Sequence, residues 1–185
     1  PLKAPPPGRL RLLLGLFSLD ALAGGFFTNT LVLVWMHERF DLPEAVLGVL
    51  FFAISLGTAL VQFLAIPLVR KVGLVWGIIL PNASAAALLI VLALAPSYEI
   101  ALGVFFVRSI LSVLDVPARS AFVVAHDTPK RFAYSLSATN LVMAISNAAG
   151  SLVAAWVFTL SLFGWPLIIG AWMRFIYSGL LYFLH

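Results

Sequence analysis

Apolar residues in this chain do not alternate with polar ones in period two. They run on for twenty residues or more and stop at short polar breaks. Six runs reach the length of about 20 residues that carries a helix across about 30 Å of hydrocarbon. They cover 11–36, 45–69, 74–95, 99–125, 132–160 and 165–185. Backbone N–H and C=O groups find no water in lipid, so each run must pair them internally as a helix. A closed barrel would need short strands of alternating polarity, and none is visible. The pattern predicts an all-α polytopic membrane protein of six transmembrane helices over 10–185. Residues 1–9, Pro-Leu-Lys-Ala-Pro-Pro-Pro-Gly-Arg, read as a Pro-rich linker ahead of it.

Punctuation between the runs fits helices. Asp41-Leu42-Pro43-Glu44 predicts an N-cap at Asp41 opening the second helix. Thr128-Pro129 and Pro166 are placed to open the fifth and sixth. Lys and Arg set the orientation. One side holds Lys3, Arg9, Arg11, Arg70, Lys71, Lys130 and Arg131, and the other only Arg39, seven against one. Both ends are therefore expected in the cytoplasm, with the His37–Glu44 loop and the Pro96–Tyr98 turn outside.

Composition sharpens the class. Of the 185 residues, 63% are hydrophobic and 10% charged, against about a quarter charged in soluble domains. The pI near 9.9 does not indicate nucleic acid, because the cations sit in loops between apolar runs. With no cysteine, disulfides and thiolate metal sites are excluded. The chain opens on Pro and carries no signal-peptide pattern, so it reads as an excerpt of a longer protein.

Ionised residues inside the runs are the candidate chemistry. A charge at mid-membrane costs about 2.5–3.5 kcal/mol on insertion scales, so a function or a partner normally holds it there. Arg108, Ser112, Asp115 and Arg119 are spaced four, three and four, one stripe of a helix, with Pro117 set to bend it. Asp115 and Arg119 are placed to pair one turn apart near the cytoplasmic end. Arg108 lies too deep to snorkel and is expected to face a cavity or another helix. Asp20 is at a depth that allows contact with Arg119. It reads equally as a carboxylate that binds a proton and as an ion-pair partner. Asn29 shares a cavity with Asp20 only if Gly24-Gly25 breaks the helix. Ser55, Thr58 and Gln62 form a mild stripe on the second run; Ser137, Asn140, Ala144, Asn147 and Ser151 form one on the fifth. Such stripes serve helix packing or line a hydrated path. The third run offers only Asn82 and the sixth only Arg174, read as packing or snorkelling features.

Several chemistries find no support. No His lies in mid-run, no ligand spacing suggests a metal, and no phosphate-binding G-x-x-x-x-G-K-S/T loop is present. No enzyme activity and no cofactor is expected. Short external loops leave no room for a channel filter.

Six helices with both ends inside, a short basic loop after the second and a Pro-rich entry resemble the C-terminal half of a major facilitator superfamily transporter. Leu68-Val69-Arg70-Lys71-Val72-Gly73 resembles that family's loop motif G-x-L-x-D-R-x-G, with Ile66 replacing the first Gly and Arg70 the acidic residue. Leu19–Gly25 together with Leu114–Arg119 resembles an uncharacterised prokaryotic branch.

The resemblance implies two three-helix inverted repeats and alternating access against a missing N-terminal six-helix half. It implies that the first, second, fourth and fifth helices face the cavity. The expected activity is transport of a small solute, with a coupling proton as a candidate partner, in a prokaryotic inner membrane. On that reading Arg108, Asn29, Ser112, Asn140, Asn147 and Gln62 line the substrate path. Asp20, Asp115 and Arg119 form coupling or gating pairs, and Arg70, Lys71 and Gly73 the loop motif. The competing expectations are a six-helix receptor or assembly module and a stand-alone homodimer.

Overall fold

The computed structural model describes residues 7–125, 132–160 and 164–183, without the side chains of 7–14, 66, 70, 123–125 and 132–135. The described residues are helical, with no strand among them. Among the described residues eight helices build six candidate spans. The first span is α1 (Pro7–Gly25) followed by α2 (Asn29–Phe40); the second is α3 (Glu44–Val72) and the third α4 (Leu74–Ala93). The fourth is α5 (Tyr98–Val113) followed by α6 (Asp115–Ala125), the fifth α7 (Phe132–Thr159) and the sixth α8 (Trp165–Phe183). Length and composition make each span able to cross a membrane. The expected opening at Thr128-Pro129 lies outside the described residues.

Sequence chemistry explains both broken spans. After Gly24-Gly25 the first span tightens, as Phe26 N donates to Ala23 O and Phe27 N to Gly24 O. Thr28 then turns extended and its hydroxyl caps α2 by accepting from Leu31 N. In the fourth span Pro117 has no N–H for the carbonyl four residues back, that of Val113. The chain closes instead through Leu114 N to Leu111 O, and α6 restarts at Asp115.

Three expected boundaries are corrected. Asp41 does not open the second span; it ends α2 in a left-handed conformation (φ 50°), and Pro43 caps α3 without a side-chain bond. Asp tolerates that conformation, and the Asp41 N–H closes the helix end by donating to His37 O. The helix around Arg70 and Lys71 runs on to Val72, because nothing interrupts it before Gly73 at φ 88°. The basic residues thus sit in a last helical turn, where cations favour the helix dipole. Helix α1 already includes Pro7–Arg9, Pro suiting a first turn by its fixed φ.

Packing follows a regular scheme. The first span packs on the fifth and the second on the fourth; the third meets the sixth, the fourth and the second; the sixth meets the first and the fifth. Smaller contacts join first with second, fourth with fifth and first with fourth. Exchanging each of the first three spans with the one three later maps this set of contacts onto itself. Both exchanged leaders, the first and fourth, are the broken spans. The third and sixth both follow a glycine at positive φ, Gly73 (88°) and Gly164 (81°).

The tightest crossing is α1 against α7. A Cβ on Gly25 would stand 2.3 Å from Asn147 O, and one on Gly150 would stand 2.2 Å from Leu22 O. Small residues here let two backbones touch. Asn147 Nδ2 donates to Ala21 O across the same crossing at 3.2 Å. Outside this seam α3 and α7 are the least buried spans, and they carry exposed apolar side chains such as Phe52, Phe63, Leu141 and Leu152.

Candidate functional site

A buried ionic cluster joins four of the six spans. Asp20, from the first, is 2% exposed and lies 2.6 Å from Arg119 Nη2 of the fourth. The same Nη2 pairs with Asp115 one turn earlier on α6. Asn82, from the third span, donates to Asp115 Oδ2 at 2.9 Å and to its own Ile78 O at 3.1 Å. From the sixth, Arg174 Nε approaches Asp20 Oδ1 at 3.3 Å. That contact pairs charge without the alignment of a hydrogen bond, so Asp20 Oδ1 and Arg174 Nε both lack a hydrogen-bond partner. Buried ions of this kind persist only as compensated groups, because removing one leaves its neighbour uncompensated in an apolar medium.

Charge compensation stops at Arg108. Its side chain is buried, 4% exposed, and among the described residues no carboxylate pairs with it. It rests instead over the Phe27 ring, 4.7 Å from the centroid, and Arg174 lies 4.8 Å from that centroid. The negative face of the ring attracts both guanidinium groups. Phe27 is itself held against α8, where a Cβ on Gly170 would stand 2.5 Å from the ring. The break after α1 therefore delivers an aromatic ring that two buried arginines face.

Beside the cluster lies a cavity of about 450 Å³. Asp20, Ala21 and Gly24 of the first span wall it, with Ser112, Asp115, Val116, Arg119 and Ser120 of the fourth. Asn140, Met143, Ala144 and Asn147 of the fifth and Arg174 of the sixth complete the wall. Of the residues expected on a substrate path, Ser112, Asn140 and Asn147 meet here. Arg108 does not line the cavity and faces the Phe27 ring instead. Ser112, Asp115 and Arg119 line the cavity together across the turn at Leu114, so three of the four residues of the expected stripe meet there. Asn29 begins α2 beyond the break, half-buried and off the cavity. Gln62 lies exposed on α3, where Ser55 and Thr58 bond back to carbonyls of their own helix.

Two residues enter the cluster that the spacing assigned to packing or snorkelling. Arg174 stands in the middle of α8 and turns inward to Asp20; Asn82 holds Asp115. The sixth span thus supplies cavity wall where the second was expected to. The available signal was the charge itself, since an arginine amid apolar residues needs a partner. Of the loop-motif residues, Lys71 is exposed and Gly73 lies against a separate cavity of about 380 Å³ with Leu74, Val75, Trp76 and Tyr182. The Arg70 side chain lies outside the described residues.

On the opposite side Arg39 donates to Ala93 O at 2.9 Å and Ala95 O at 3.1 Å, satisfying carbonyls at the end of α4. It also stands over the Trp35 ring. The described residues hold no group of three or more His, Asp or Glu that could bind a metal. No family model matches the chain, and neither the curated proteins nor the solved structures give a match.

Proposed function

We propose that this chain is one six-helix half of a major facilitator-type secondary transporter. On this reading it moves a small solute by alternating access against a second half, in a prokaryotic inner membrane, with both ends cytoplasmic. The observation that carries the proposal is the ion-paired cluster at the wall of a cavity between apolar spans. A bundle serving only as an anchor has no use for four buried charged groups and a half-buried fifth, each costly in lipid. The exchange of contacts between spans one to three and four to six supports a reading as two three-helix repeats. Consecutive spans joined by short connectors run antiparallel, so repeats of three are mutually inverted.

Within this reading Asp20 is the coupling carboxylate or a state-dependent ion-pair partner, and Arg119 with Asp115 forms its fixed counterpart. Arg108 is the cation held in reserve for a polar or anionic group of the solute. The exposed apolar faces of α3 and α7 are the surfaces left for lipid and for the second half. The experiment is a solute uptake screen with the full-length protein in membrane vesicles, repeated with Arg108→Ala. Protein-dependent uptake of a solute, abolished in the variant at unchanged membrane abundance, is the expected result. Uptake unaffected by Arg108→Ala removes Arg108 from the path.

A further inference from the structure

Arg119 and Arg174 both touch Asp20, yet they depend on it differently. Arg119 has a second carboxylate, Asp115, on its own helix, and Asn82 steadies that carboxylate. Among the described residues Arg174 has Asp20 alone as a carboxylate partner. Its Nη1 is buried without a hydrogen-bond partner although the residue borders the cavity. Placing a proton on Asp20 therefore leaves Arg119 compensated and strands Arg174. Arg174 then keeps only the Phe27 ring, which Arg108 also faces.

We infer that the solute is a small monoanion that enters the cavity together with one proton, the proton binding Asp20 and the anion taking its place on Arg174. This rests on the transporter reading and deepens it. The charge count supports it. With Asp20 ionised, Asp20 and Asp115 offset Arg119 and Arg174, and Arg108 leaves one positive charge. With Asp20 protonated and a monoanion on Arg174, the buried charge is the same. The exchange thus adds no net charge to an apolar bundle, where each extra one is costly. A place for the proton exists, since Asp20 Oδ1 accepts no hydrogen bond and Asp20 borders the cavity.

Groups facing Asp20 from every neighbouring helix fit this exchange. From the fourth span come Arg119 and Asp115, and from α8 come Arg174 and Tyr177. Helix α7 presents no charged residue over 136–159, only the amides of Asn140 and Asn147 on the cavity. These amides can bond a carboxylate or an oxyanion without adding charge. A cavity of about 450 Å³ admits a small organic acid anion.

The test is binding to the purified full-length protein in detergent, which needs no transport. Sodium salts of acetate, lactate, benzoate and nitrate serve as probes, with glucose as the neutral control. Heat of binding is measured across a pH series, and proton uptake is followed by an indicator dye in weak buffer. At least one anion is expected to bind, to draw close to one proton with it, and to weaken about tenfold per pH unit on the alkaline side. Asp20→Asn is expected to bind the same anion without proton uptake and without that pH dependence. Arg174→Gln is expected to lose binding at least tenfold. Anion binding with no proton uptake, or glucose binding in place of any anion, overturns the inference while leaving alternating access standing. No binding by any of the four anions to stably folded protein overturns the monoanion assignment.

Discussion

Arg119 and Asp20 lie 99 residues apart in sequence and 2.6 Å apart in space. That ion pair ties the fourth span to the first at the cavity wall. Because Arg119 also holds Asp115, losing the guanidinium leaves Asp115 with Asn82 alone and Asp20 with Arg174 alone, whereas losing Asp20 leaves Arg119 paired and strands Arg174. Arg119→Gln is expected to destabilise the bundle by about 3–5 kcal/mol. Unfolding in detergent, run as a double-mutant cycle, should give a coupling of about 0.5–3 kcal/mol. Additive losses would mean that the two residues act separately.

Glycines in this chain divide by what surrounds them. Gly150→Ala would push a methyl into Leu22 O and force α1 from α7; a large loss of thermal stability in detergent is expected. Gly103→Ala, in the exposed middle of α5 with open space around it, should instead gain up to about 1 kcal/mol. Equal responses at the two sites would contradict the backbone contact between α1 and α7.

Phe27→Leu keeps apolar bulk but removes the ring that faces Arg108 and Arg174. A stability loss of about 2 kcal/mol is expected from the desolvated cation–π contacts. Arg108→Met made in the Phe27→Leu background should cost less than it does alone. A cost independent of background would show that the ring does not hold Arg108.

Arg39→Ala uncovers two carbonyls at the end of α4, a loss of about 1 kcal/mol. Hydrogen exchange should speed up locally at the α2 and α4 ends and stay unchanged near Asp20. Uniform acceleration would argue against a local cap.

Much of this architecture was legible in the hydrophobic pattern. Apolar run length is enough to define a span, and Gly24-Gly25 and Pro117 mark the two broken spans for reasons of backbone chemistry alone. Matching depth was enough to bring Asp20 to Arg119. The partners of Arg174 and Asn82 were not legible, because a lone polar residue in a span shows no direction until its neighbours are packed. Arg108 was legible as buried but not in its facing, since spacing along one helix does not show the Phe27 ring that its guanidinium faces. Asp41 misled because its capping chemistry suits a helix end as well as a helix start, and the left-handed turn there uses the end.

Alternating access at the cavity is the claim on which the account turns. The chain has no native cysteine, so Asn147→Cys in an otherwise cysteine-free full-length protein offers a single thiol on that wall. Labelling with a membrane-impermeant maleimide, applied from each side of sealed vesicles, is the direct measurement. The account predicts modification from both sides, with Asp20→Asn shifting the ratio between them. Modification from one side alone, unchanged by Asp20→Asn, would contradict it.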